Sequence, residues 1–173
     1  MSEPVPIREA SERDARAVID LWTEAYVKEG EGGRTTPYEE ADFLATDLHA
    51  QVFVVERRDV VVGVVALMAP GTPGAAVARA GEAELSRLVV VAPARHLGIG
   101  RALVAHCSER AEATGWSAIA LWSRRYQVAA HRLYESLGYR RTPERDRIDA
   151  SGHERLVFRL NLKGGRRPAP LPE

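Results

Sequence analysis

The sequence predicts a mixed α/β domain whose first half is largely antiparallel. Three observations carry that prediction. Short apolar runs of strand length alternate with stretches of helical periodicity. Two long runs, QVFVVE (51–56) and VVVGVVALM (60–68), are separated only by RRD and therefore form a hairpin. The later strands are separated by helix-length segments, GRALVAHCSERAEATG (100–115) and QVAAHRLYESLG (127–138).

PVPIRE (4–9) alternates and predicts a short first strand. Ser11 follows as an N-cap with Asp14 three residues on, a variant of the capping box. Ala15, Val18, Ile19, Trp22, Ala25 and Tyr26 then share one helical face, and GEGG (30–33) ends that helix. TPYE predicts a second helix, with Thr36 as N-cap, Pro37 at N1 and Glu39 at N3, running to about Leu48. After the hairpin, APGTPGAAVARAG (69–81) is a long connection and EAELSRLVVV a strand. The helix that begins near Gly100 stops at Gly115, WSAIALWS is a strand, and the next helix stops at Gly138. YRRTPER and HERLVFRLNL close the sheet.

With 173 residues and no linker or charge block, the chain is expected to form one domain over 1–162, followed by a mobile tail (163–173). The 24 basic and 24 acidic residues balance, so nothing points to nucleic acid as the main partner. The lone Cys107 excludes an internal disulfide framework and any multi-cysteine metal site. No apolar stretch is long enough to span a membrane and the N-terminus lacks a signal-peptide core, so a soluble cytoplasmic protein is expected.

RHLGIG (95–100) joins the apolar run LVVV to a helix. A helix N-terminus welcomes an anion, and glycine lets backbone approach a phosphate. A dinucleotide fingerprint fails here: Leu103 stands at the third small position and no acid ends the next strand. The G-K-[ST] of a P-loop is absent. Arg95-His96-Leu97-Gly98-Ile99-Gly100 resembles instead the R/Q-x-x-G-x-G/A motif of the GNAT superfamily of acyl-CoA-dependent N-acetyltransferases. Leu88-x-Val90 upstream, Arg101-Ala102-Leu103 downstream and AHRLYESLGY (130–139) are similar to the same family. His96 stands where glycine is frequent, Pro93 lies one residue later than usual, and Gln127 stands where an Asn is common.

The resemblance implies a GNAT-type fold with a central mixed, mostly antiparallel twisted sheet flanked by helices. It also implies acetyl-CoA as co-substrate, without a metal. Amides from Leu97 to Ala102, with Arg95 and Arg101, would cradle the pyrophosphate. Leu88, Val89 and Val90 would pair with the pantetheine arm, an amide near Val89 or Val90 holding the oxyanion, and Gln127 would lie beside that arm. Tyr134 would serve the departing thiolate, and Glu84 or else Glu82 would be the general base. Family members frequently dimerise, so a homodimer is the expected assembly. Cys107 sits at core spacing with Leu103 and Ala111, which argues against a covalent acyl-enzyme, and His131 is expected at the surface. The resemblance implies direct attack by a primary amine, either a small molecule or a peptide amine, and the seven acids against two bases of residues 24–47 favour a cationic one. A non-catalytic acyl-CoA-binding module and an enzyme of the same fold moving a longer acyl group are the competing readings.

Overall fold

The computed structural model describes residues 4–28 and 36–163. The expected break at 30–33 and residues 164–173 of the expected tail lie outside the described residues. The chain runs β1 (Ile7–Glu9), α1 (Ala15–Thr23), α2 (Glu40–His49), β2 (Ala50–Arg57), β3 (Val60–Met68), β4 (Glu82–Val90), α3 (Ile99–Ala113), β5 (Ala118–Ser123), α4 (Val128–Ser136), β6 (Arg140–Arg141), β7 (Arg147–Ile148) and β8 (Glu154–Asn161). The strands lie in the order β1-β2-β3-β4-β5-β8-β6, with β7 paired to β8. Every pairing is antiparallel except β4 with β5.

Both faces of the sheet are covered, which explains why its strands read as unbroken apolar runs. Alternation along β2 and β3 divides the side chains. Phe53, Val55, Val65 and Leu67 pack with Ile99, Leu103, Cys107 and Tyr134 on the side of α3 and α4. Val52, Val54, Val64 and Ala66 pack with Val18, Trp22 and Phe43 on the side of α1 and α2. The β2–β3 loop is two residues long, and Arg58 and Asp59 both have positive φ, as a hairpin turn that follows the strand twist requires.

Two boundaries differ from the sequence prediction. Helix α2 begins at Glu40 with Glu39 in extended conformation as its N-cap, and Glu39 N–H donates to Asp42 at 2.8 Å; Glu39 thus takes the N-cap place expected of Thr36, and Asp42 the N3 place expected of Glu39. Helix α1 continues as a π turn over Glu24–Lys28, which alters the phase of its last residues. At its start Ser11 N–H donates to Asp14 at 2.8 Å, and Asp14 also accepts two bonds from Arg8.

Candidate functional site

The parallel pairing of β4 with β5 covers only Glu82–Glu84 against Ala118–Ala120. Beyond Glu84 the two strands diverge. Val91 N–H donates to Val62, so antiparallel alternation turns the peptide groups of Val89 toward β3 and those of Val90 away from it. Side chains take the carbonyls on the open side: Tyr26 Oη donates to Leu88 O at 3.3 Å, and Arg95 Nε to Val90 O at 3.0 Å. The result is a cleft of about 510 Å³ between this edge, the 94–101 turn and the start of α4. Leu88, Val89, Val90, Arg95, His96, Gly98, Ile99, Gly100, Arg101 and Gln127 all line it.

The 95–100 turn owes its shape to two left-handed residues, His96 at φ 64° and Gly98 at φ 78°. Gly98 is the N-cap of α3, so the N–H groups of Ile99, Gly100 and Arg101 have no acceptor within their helix and carry its positive end. Gly100 sits under β4 and α4: an added Cβ would lie 3.7 Å from Leu133 and 3.9 Å from Val90. Ala102 differs from expectation, because its N–H is spent on Gly98 O at 3.0 Å. Leu97 differs too; its exposed side chain lies on a neighbouring depression with Ile99 and Val5, outside the cleft.

A smaller cavity of about 190 Å³ meets the cleft at Leu88 and Gln127. Tyr26, Tyr38, Ser86, Arg87, Trp122 and Tyr134 give it its chemistry. Tyr26 reaches it from the π turn of α1. Arg87 reaches it from a bulge: Ala66 pairs with Ser86 and Val64 with Val89, so β4 carries one residue more than β3 there. Arg87 has φ 54°, an unusual conformation for a side chain of its size. Trp122 lies between Arg124 and Arg155, whose guanidinium carbons are 5.0 and 4.6 Å from its ring. Asp149 fixes Arg124 at 2.7 Å, and despite its burial that bond keeps the Asp149 carboxyl at about 2. Tyr134 is buried beside Tyr139 and Phe158, at ring separations of 6.0 and 5.8 Å.

The two glutamates expected as bases are placed otherwise. Glu84 is wholly buried, and its carboxylate accepts N–H groups of Ala76, Val77 and Ala78 at 2.8–3.0 Å. It ties the 69–81 connection to the sheet. Glu82 accepts from Arg145 at 2.9 Å, Arg159 at 2.7 Å and Arg79 N–H at 3.0 Å. Burial works to raise its pKa, but those bonds prevail and hold it below the ordinary carboxylate range. Neither glutamate lines the smaller cavity. The substitution of amides and arginines for a substrate proton accounts for the difference: strand periodicity gives the face of a residue but not its partners.

Gln127 caps the end of β5, its carbonyl accepting Ser123 Oγ and Arg124 N–H at 2.8 Å each. Its amide nitrogen is the donor end that can serve a ligand. His131 is half-buried, with Nε2 2.9 Å from Arg124 O, not a solvated surface group. Burial pushes the Cys107 thiol well above its usual range, consistent with a core residue. Among the described residues no cluster of His, Cys, Asp or Glu could hold a metal ion, and no helix is long and apolar enough to cross a membrane. Sequence reasoning missed Arg87 and Trp122. A charged residue inside EAELSRLVVV was the available signal for Arg87.

The Acetyltransferase (GNAT) family matches residues 15–139. N-acetylaspartate synthetase of Danio rerio is 38% identical over 82 residues, 44% of this chain and 29% of that protein. N-acetyltransferase family 8 member 3 of Rattus norvegicus is 34% identical over 92 residues, 53% of this chain and 39% of that protein. The matched stretches thus span well under half of either relative. Among solved structures, a phosphinothricin acetyltransferase from Sinorhizobium meliloti in complex with acetyl-CoA superposes with a TM-score of 0.78 at 19% identity, covering 98% of this chain and 94% of that one. A Salmonella typhimurium acetyltransferase with acetyl-CoA gives 0.75 at 19% identity, covering 98% and 100%.

Proposed function

Because the chain belongs to the acetyltransferase (GNAT) family, we propose that it moves an acetyl group from acetyl-CoA to a primary amine by direct attack. The observation that carries this reading is the junction of the two cavities at Leu88 and Gln127, with Tyr134 in the wall. One cavity has the turn and open strand edge suited to a pantetheine-linked diphosphate; the other is where an amine would stand. The acyl donor supplies a thioester carbon.

The chain's groups then divide the work. Ile99, Gly100 and Arg101 N–H bind the diphosphate at the helix terminus, with Arg95 and Arg101 adding charge. The cleft-facing peptide groups of Val90, with the Gln127 amide, hold the pantetheine arm as a strand would. Leu88 borders both cavities, and we assign its N–H to the developing oxyanion. This moves that role from the Val89–Val90 peptide to Leu88. The C–N bond forms, the C–S bond breaks, and Tyr134 donates a hydrogen bond or proton to the sulfur.

Among the described residues no carboxylate or imidazole lines the smaller cavity. We therefore assign removal of the amine proton to water in that cavity, beside the Tyr26, Tyr38 and Ser86 hydroxyls. The expected preference for a cationic acceptor draws no support from Glu39 and Glu40, which are exposed and stand outside the cavity lining, and Glu31 lies outside the described residues.

Calorimetric titration tests the reading first. Acetyl-CoA is expected to bind in the micromolar range, CoA lacking its 3′-phosphate more weakly, and NAD not at all. Thiol release with a panel of small amines then tests transfer. Binding without release from any amine would leave a non-catalytic acyl-CoA-binding module in place of the enzyme.

A further inference from the structure

We infer that the acceptor is a small amine whose body is no larger than a single six-membered ring, and that Trp122 sets this limit. This rests on the proposed transfer of an acetyl group and specifies its second substrate. The smaller cavity measures about 190 Å³, a little more than the ~150 Å³ of an engineered cavity that holds benzene. The attacking nitrogen belongs where Leu88 and Gln127 join this space to the cleft. The rest of the acceptor then lies among Tyr26, Tyr38 and Trp122.

A cavity limits size only where its walls hold. Trp122 lies on β5, paired with Val157 of β8, and the Arg124 and Arg155 guanidinium carbons lie over its ring at 5.0 and 4.6 Å. Arg124 is only 3% exposed. Asp149 holds it at 2.7 Å and meets Arg155 at 3.7 Å. Asp149 in turn accepts Ser151 and His153 N–H at 2.9 and 3.1 Å. The indole is therefore braced by the β7–β8 turn as well as by its own strand.

The other walls are tied down too. Tyr26 donates to Leu88 O, Tyr134 packs on Tyr139 and Phe158, and Glu84 moors the connection that brings Gly74 to the lining. Close-packed walls of this kind yield little, so atoms beyond the available volume are forced against them at a cost. Trp122 is the largest side chain of the lining and stands outside the donor cleft. It can therefore govern acceptor size without touching acetyl-CoA.

The test measures thiol release with a graded panel of primary amines: short linear amines, single-ring amines, two-ring amines and tripeptides, each with and without a carboxylate or a second amine. The protein is used as wild type, Trp122→Phe and Trp122→Ala, and acetyl-CoA titration establishes that each variant retains its donor site. In wild type the best amine of single-ring size or smaller should exceed the two-ring amines and tripeptides by about 10- to 100-fold in kcat/KM. Trp122→Ala should remove most of that gap by raising the rate with the two-ring amines, and Trp122→Phe should remove part of it. Equal or faster turnover of two-ring amines or tripeptides by wild type would overturn the size limit and leave acetyl transfer standing. So would a gap unchanged in both variants, or a loss in Trp122→Ala shared equally by all amines. Absence of thiol release with every amine, in protein that binds acetyl-CoA, would overturn the transfer reading and this inference with it.

Discussion

Tyr134 and the two buried glutamates allow catalysis to be separated from architecture at the level of single side chains. Tyr134→Phe removes the hydroxyl we propose to serve the leaving sulfur and keeps the ring packed on Tyr139 and Phe158. It should lower kcat by about 100-fold while calorimetry shows unchanged acetyl-CoA affinity. Glu82→Gln should act on stability instead. Removing one partner of its buried pair with Arg145 costs about 3–5 kcal/mol near neutral pH. The folded-state pKa of Glu82 lies below its ordinary value of 4.5, so its stabilising contribution is present above about pH 4.5 and is lost as pH falls through the folded value. The gap in denaturation midpoint between wild type and Glu82→Gln should therefore narrow in acid. If Glu84 or Glu82 were the base, its variant would remove the ionisation from the pH–rate profile. We expect kcat/KM to rise with pH toward the pKa of the acceptor amine in wild type and variants alike. The places of Tyr134 and of the 95–100 turn at the cavities were legible through motifs that resemble those of the family. The glutamates were not, since their partners, Arg145, Arg159 and the 76–78 amides, come from distant or irregular segments.

At the level of elements, the order of strands and helices followed from periodicity, and the hairpin from its short turn. Local departures from regularity were hidden. The π turn that carries Tyr26 and the bulge that carries Arg87 each arise from an extra residue absorbed within an otherwise ordinary pattern. Tyr26 fits the apolar stripe of α1 in a regular helix, and the π turn brings it to the cavity wall instead. Gly63 offers a test of how β3 positions α3. An added Cβ would lie 2.9 Å from Ile99 Cγ2 and 3.1 Å from Leu103 Cδ1, and the first of these residues opens the helix. Gly63→Ala should cost about 1–3 kcal/mol in urea unfolding. Because the displaced residue belongs to the turn proposed to bind the diphosphate, acetyl-CoA affinity should fall in the same variant.

For the molecule as a whole, the divergence of β4 from β5 leaves the sheet with an internal edge. A ligand that bonds to that edge completes the sheet and links binding to stability. Acetyl-CoA at 100 times its dissociation constant should stabilise the folded protein by about 2.7 kcal/mol, read as a rise in Tm. Amide hydrogen exchange should slow at Val90 and leave Val89, already turned toward β3, largely unchanged.

The anchorage of the 69–81 connection has a consequence for how this protein can diversify. Glu84 grips main-chain N–H groups of Ala76, Val77 and Ala78, so its hold does not depend on which side chains those residues carry. The loop also contributes Gly74 to the wall beside Arg87. Side chains along it can therefore be exchanged while the backbone stays moored to the sheet. Such a loop provides a route by which acceptor choice could drift, one substitution at a time, among descendants that keep the same donor site and the same folded core.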